Sequence, residues 1–333
     1  MKLIKYFNEF MSTEVCLNQS RINALEQRVS TITGVIKQSV SFKTAYINAI
    51  PQGSYAQKTI IKPTKKKAVF DADVVVYLKP IKGWEPRDYI QALYELFQAS
   101  NQYSGKVSRQ TRCLKLNYAG EFHIDIVPCV RKPLIIGHQN YVCNRQTNEF
   151  ESCSSEEFSD WVAGKNSVTK NNNLIKSIRL AKYLRDHKQT FSAKSILLTT
   201  LLATRISLWD EVFGRDKYKD LPTSFKSLFN KLNQWLEQRD SMPIVTNPVD
   251  EEESFNRHWN EQKFQNFKFQ IKTYNDWIND AYSEGDMERS IEKWRKIFGE
   301  NFAKSYPINR LTSCVKRSSG KGARQKREGS CRC

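Results

Sequence analysis

Two aspartates, Asp71 and Asp73, stand two residues apart in Phe70-Asp71-Ala72-Asp73-Val74-Val75-Val76-Tyr77-Leu78. A short β-branched run of this kind fits a strand. Alternate side chains leave a strand on the same face, so both carboxylates would reach one spot. A third, Asp125, lies in Phe122-His123-Ile124-Asp125-Ile126-Val127-Pro128. There Phe122, Ile124 and Ile126 face one way, and His123, Asp125 and Val127 the other. If the two strands are neighbours, three carboxylates converge. Three close negative charges cannot all stay ionised without compensation. A divalent cation supplies it, and hard oxygen ligands select Mg²⁺, with Mn²⁺ as substitute. A lone Asp-x-Asp is commonly a solvated pair, but the valines that follow this one are not what a surface loop needs. The competing reading of Asp125 is a buried ion pair with Arg112 or Lys115, because an unpaired carboxylate in an apolar strand is costly.

Upstream, Pro51-Gln52-Gly53-Ser54 marks a break and turn. Glycine lets backbone N–H groups approach a phosphate closely, and the serine hydroxyl adds a donor. Alone this is an ordinary turn. Its value lies in the order: Gly-Ser, a loop with Lys58, Lys62, Lys65, Lys66 and Lys67, then Asp-x-Asp, then the third aspartate. The lysines could gather triphosphate charge or nucleic acid, or form a solvated loop.

The elements that must hold these residues read as follows. Leu17, Ile22, Leu25, Val29, Ile32 and Ile36 recur near helical spacing, giving a helix over 17–40. Ile47 to Ile50 precedes the turn, and 89–99 reads as a second helix. Residues 111–118 and 121–130 form a β-hairpin about Ala119-Gly120. After about residue 155 strand signals fade, and helical stripes cover 174–184, 196–206, 225–236, 255–282 and 291–298. The acidic run Asp250 to Glu253 reads as a solvated helix start, where carboxylates suit the macrodipole. From Cys314 to Cys333 the chain carries seven Lys/Arg and almost no apolar side chains, which reads as a flexible basic tail.

The net charge of +18 favours polyanionic partners, including nucleotides, an activating RNA or DNA on the basic surface, or an anionic membrane. It does not choose among them. With 39% hydrophobic residues in 333, the chain can bury a sizeable core. No run approaches the roughly 20 apolar residues of a membrane span. The stretch 1–11 shows no signal peptide, so a cytoplasmic location with reduced thiols is the simple expectation for the eight scattered cysteines. No Cys-x-x-Cys pair supports zinc. A protein held on a membrane by its basic tail would need an apolar anchor, and the sequence offers none.

Taken together, Gly53-Ser54, Asp71-Ala72-Asp73 and Asp125 resemble the signature of polymerase-β-like nucleotidyltransferases. The segment 122–128, and Leu180-Ala181-Lys182-Tyr183-Leu184 followed by Phe191-Ser192, are similar to the cyclic GMP-AMP synthase and DncV-like (CD-NTase) enzymes, bacterial CBASS type. Asn247-Pro248 and Trp259 match more loosely, and the resemblance spans about residues 15 to 300.

The resemblance implies an α+β fold. It would comprise a polymerase-β-like nucleotidyltransferase core with a mixed sheet over 1–160, a mainly helical domain closing the nucleotide cleft over 161–310, and the tail over 311–333. It implies an Mg-dependent nucleotidyltransferase that joins ribonucleoside triphosphates into a cyclic di- or trinucleotide second messenger. In anti-phage defence a downstream effector would sense that product. Asp71, Asp73 and Asp125 would be the catalytic ligands of two Mg²⁺ ions. Gly53, Ser54, Lys182 and Ser192 would hold the donor triphosphate, with Ser195 competing with Ser192. The long lysine-rich loop departs from the pattern, and the animal enzyme's zinc-binding insertion has no counterpart. Two alternatives stand beside this reading. One is a transferase of the same fold making a linear oligonucleotide or tagging RNA or protein. The other is a catalytically inactive nucleic-acid-binding protein, which would gain nothing from three acids at its centre.

Overall fold

The computed structural model describes residues 1–64, 69–118 and 122–306. Lys65, Lys66 and Lys67, the Ala119-Gly120 turn and the basic tail lie outside the described residues. The chain opens with α1 (Ile4–Phe10), extended by a π-helical turn (Met11–Val15), and α2 (Gln19–Gln38). The side chain of Asn18 caps α2 by accepting from the Arg21 N–H at 2.9 Å. Strand β1 (Tyr46–Gln52) runs into a one-turn helix α3 (Gly53–Ala56), followed by β2 (Phe70–Leu78) and α4 (Pro86–Gln98). Pro at the first turn and a Glu85/Asp88 capping box start α4. Then come β3 (Val107–Arg109), β4 (Leu114–Tyr118), β5 (Phe122–Pro133), β6 (His138–Asn144) and β7 (Glu149–Ser152).

These seven strands make one mixed sheet in the order β1-β2-β5-β4-β3, with β6 and β7 continuing from the far half of β5. The pair β2–β5 is parallel, with Asp73 opposite Asp125, and the other strand pairs of this sheet are antiparallel. The alternation of β2 sorts its side chains into two sets. Ala72, Val74, Val76 and Leu78 bury against α2, α4 and the inward residues of β4 and β5. Asp71, Asp73, Val75 and Tyr77 take the other face, where a smaller apolar cluster of Val75, Tyr77, Val127, Cys129 and Val142 lies beside the acids.

The helical part comprises α5 (Ser155–Ser167), α6 (Asn173–Lys188), α7 (Ser195–Ala203), α8 (Leu208–Phe213), α9 (Leu221–Glu237), α10 (Glu261–Ser283) and α11 (Met287–Phe298). A two-stranded ribbon of β8 (Thr246–Asn247) and β9 (Asp250–Ser254) interrupts it. Phe7, Phe10, Met11 and Val15 pack into this helical core rather than under the sheet. The chain's first turns therefore share a core with its second half.

Several expectations are corrected. The acidic run Asp250 to Glu253 is strand β9, not a helix start: its backbone pairs with β8, and Asn247 Nδ2 donates to Glu253 at 2.9 Å. Helix α10 begins at Glu261, capped by Asn260, so Phe255 lies before it. Strands β6 and β7 were not anticipated from their polar sequence. Helix α8 exposes Leu208, Trp209, Val212 and Phe213, an apolar face that the sequence reading did not find. Among the described residues no helix is long and apolar enough to cross a membrane.

Candidate active site

Parallel pairing sets the carboxylates. Asp73 and Asp125 are register partners on β2 and β5, and Asp71 is opposite His123. Antiparallel β4 puts Lys115 opposite Asp125. Lys115 Nζ lies 3.0 Å from Asp71 Oδ1 and 3.1 Å from Asp125 Oδ1. The bond to Asp71 has hydrogen-bond geometry. The contact with Asp125 is at ion-pair distance without that alignment, and Asp125 Oδ1 is buried with no hydrogen-bond donor. The ion-pair reading of Asp125 is thus realised with Lys115, while Arg112 pairs instead with Glu151.

One ammonium does not balance three carboxylates. The Asp73 carboxyl is pushed up to about 6, by burial first and then by Asp125 and Asp71, against a smaller pull from Lys115. Asp125 is also raised, chiefly by burial, with Lys115 opposing. Burial works against the charge on Lys115, but its bond to Asp71 and the nearness of Asp125 outweigh it and raise its pKa. Among the described residues no group of three or more acids, histidines or cysteines is drawn tightly enough to hold a metal as it stands. The donor chemistry nevertheless fits a hard divalent cation: carboxylate oxygens only, excess negative charge, a buried oxygen lacking a donor, and a lysine in the cation's place.

Gly53 closes this group from the β1 side. Its φ is +56°, and a Cβ there would lie 3.1 Å from Asp73 Oδ2. The left-handed backbone and the close approach to the carboxylate both favour glycine.

The acids open into a cavity of about 730 Å³ between the sheet and the helices. Gly53, Ser54, Asp71, Asp73, Asp125 and Lys182 all line it. Lys182 is 3% exposed and donates to the Thr59 carbonyl at 3.1 Å and hydroxyl at 2.7 Å. Burial, then Arg185 and Arg179, push its ammonium down to about 7. Ser192 does not reach the cavity: it is exposed, and its carbonyl accepts from the Trp259 indole N–H at 2.9 Å. Ser195, at the start of α7, lines the cavity and accepts from Arg185 Nη1 at 3.2 Å. Lys62 is turned away, donating to the Thr13 carbonyl at 3.1 Å. The sequence reading missed Arg185, Thr59 and Cys113, which also line the cavity. Arg185 lies one helical turn after Lys182 on α6, a spacing that the sequence carried.

Residues 1–166 match the Second Messenger Oligonucleotide or Dinucleotide Synthetase (SMODS) domain family. The chain is 25% identical over 309 residues to a c-di-GMP synthase of Roseivirga ehrenbergii, covering 83% of this chain and 79% of that one. Its fold is similar to E. coli CdnC solved with ATP (TM-score 0.70, 19% identity, 90% of this chain and 98% of that chain). It is also similar to the Bradyrhizobium diazoefficiens CD-NTase CdnG solved with GTP (TM-score 0.69, 16% identity, 91% and 96%). A third similar fold is the Vibrio cholerae DncV cyclic AMP-GMP synthase solved with a linear intermediate (TM-score 0.66, 14% identity, 91% and 97%). The architecture is the α+β nucleotidyltransferase fold. The chain belongs to the CD-NTase family and is a nucleotidyltransferase of the cyclic-oligonucleotide-synthase class.

Proposed function

We propose that this enzyme joins two or three ribonucleoside triphosphates into a cyclic oligonucleotide, using Mg²⁺ held by Asp71, Asp73 and Asp125. The observation that carries the reading is the convergence of three acids from β2 and β5 at one wall of a nucleotide-sized cavity. The relative's name, c-di-GMP synthase, supports a cyclic dinucleotide.

When bound, two Mg²⁺ ions would neutralise the triphosphate and lower the pKa of the attacking ribose hydroxyl. The protein's own residues would do the positioning. Gly53 and Ser54 present a backbone N–H and a hydroxyl to donor phosphate oxygens. Lys182 adds a cation from the helical side, and triphosphate would restore the charge that burial discourages. Of the two serines weighed for this wall, the lining of the cavity supports Ser195 over Ser192. Asp125, nearest Asp73 across the strand pair, would stand by the acceptor hydroxyl and favour loss of its proton. Lys115 would give up Asp71 and Asp125 as the metal arrives. Little covalent work falls to the protein, because positioning and charge neutralisation supply most of the rate.

We place the enzyme in the cytoplasm, in CBASS anti-phage signalling, with an effector that senses the product and an RNA or DNA activator on its basic surface. Residues 1–160 would form the catalytic core and 161–310 the helical half that closes the cleft, with the first turns anchored in that half. The test is to incubate the protein with all four ribonucleoside triphosphates and Mg²⁺, treat with phosphatase, and weigh the products by mass spectrometry. A phosphatase-resistant cyclic di- or trinucleotide is expected. A linear oligonucleotide would replace this reading with the linear synthase, and a nucleotide attached to RNA or protein would replace it with a tagging enzyme.

A further inference from the structure

The cavity carries a second charged cluster that the metal and phosphate chemistry leaves unused: Arg112, Glu151, Glu253 and Arg257. Arg112 donates through Nε and Nη2 to the two oxygens of Glu151, with Nη2–Oε1 at 2.9 Å. Asn144 Nδ2 donates to the same Glu151 Oε1 at 2.6 Å, fixing the carboxylate from β6. Arg112 lies three residues before Lys115 on the approach to β4, so the strand that positions Lys115 beside Asp71 and Asp125 also positions the guanidinium.

A guanidinium has five N–H donors. The side-on pair with Glu151 engages Nε and Nη2. It leaves Nη1 and the second Nη2 proton, the end-on fork, without a partner among the described hydrogen bonds. An end-on fork presents two parallel donors and matches two adjacent acceptors. Of the two purines only guanine offers such a pair, O6 and N7. Adenine would set its N6 amino donors against the arginine, uracil has no two adjacent acceptors, and cytosine has one such pair, O2 and N3. Glu151, held by Arg112 and Asn144, keeps the guanidinium from rotating and so acts as a positioning residue.

We propose that Arg112, oriented by Glu151, reads the O6/N7 edge of guanine, so that GTP is preferred over ATP for at least one of the joined nucleotides. The proposal rests on the nucleotidyltransferase reading and names its substrate. A bidentate arginine–guanine pair discriminates on the order of 10- to 100-fold.

The test measures equilibrium binding of GTP, 7-deaza-GTP and ATP to the full chain, with Ca²⁺ in place of Mg²⁺ to hold off turnover. The wild type should bind GTP about 10- to 100-fold more tightly than ATP, and 7-deaza-GTP, which lacks the N7 acceptor, more weakly than GTP. In Arg112→Gln and Arg112→Lys the three affinities should draw together while that for ATP changes less than about twofold. The 7-deaza comparison needs no substitution, so it stands even if a variant fails to fold. A wild type without GTP preference, or a GTP/ATP ratio unchanged in both variants, would overturn the proposal. Binding needs no product, so lost turnover with intact discrimination would count against the catalytic reading alone.

Discussion

Asp73 faces Asp125 across a parallel strand pair, and its carboxyl is pushed up to about 6 from the usual 3.8. The folded state therefore holds this proton more tightly than the unfolded chain does. Between about pH 4 and 6 stability should fall as pH rises, and the full cost, about 2–3 kcal/mol, is present above 6. Asp73→Asn should accordingly raise metal-free stability at pH 7.5 by about 1–3 kcal/mol and flatten its pH dependence. Thermal denaturation in EDTA at pH 5 and 7.5 checks this, and Mg²⁺ should stabilise the wild type but not the variant. Lys182 runs the opposite way. Its ammonium is depressed to about 7, so the unfolded chain binds more protons between 7 and 10.5. That penalty is complete below 7 and relieved as pH rises towards 10.5. A triphosphate beside it should restore its charge. Calorimetry at pH 8 in two buffers of different ionisation enthalpy should then report uptake of up to one proton per nucleotide bound, and none in Lys182→Met.

At the scale of elements, the turn from β1 into α3 is committed to glycine. Gly53→Ala would force alanine into the left-handed region, at about 1–2 kcal/mol, and press a methyl on Asp73 Oδ2. Turnover should fall further than that stability loss alone explains, as paired denaturation and rate measurements would show. The start of α7 makes a sharper comparison. Ser195→Ala should raise the nucleotide KM several-fold, whereas Ser192→Ala should leave it within about twofold, since a neutral hydrogen bond contributes about 1 kcal/mol. Helix α2, strand β2 and the β4–β5 pair were legible because their apolar residues repeat at the helical or strand period, and the three aspartates came with those strands. Which serine faces the cavity was not legible: it depends on where α7 begins, and Ser192 and Ser195 are three residues apart. Strand β9 was hidden because four successive acids disfavour a strand, and only pairing with β8 overrides that preference. Strands β6 and β7 were hidden by polar residues on a partly exposed sheet end.

Over the whole molecule, the net charge of +18 contrasts with the three aspartates and one lysine of the candidate metal site, so the excess of Lys/Arg belongs to other residues. If nucleic acid binds there, log affinity should fall linearly with log salt, with a slope near −0.9 for each duplex phosphate neutralised. Salt-independent binding would dismiss that role. The resemblance puts the N-terminal turns within the 1–160 core, and Phe7 and Phe10 pack into the helical cluster. Sequence periodicity cannot show such a long-range return. The most direct measurement compares Mg²⁺-dependent product formation in the wild type with that in the Asp71→Ala/Asp73→Ala double variant, at matched folding and nucleotide occupancy. The expected result is loss of at least about 1,000-fold in rate, as removal of a two-metal site implies, with the fold intact. Turnover retained in the double variant would contradict the assignment of these aspartates to the metal centre.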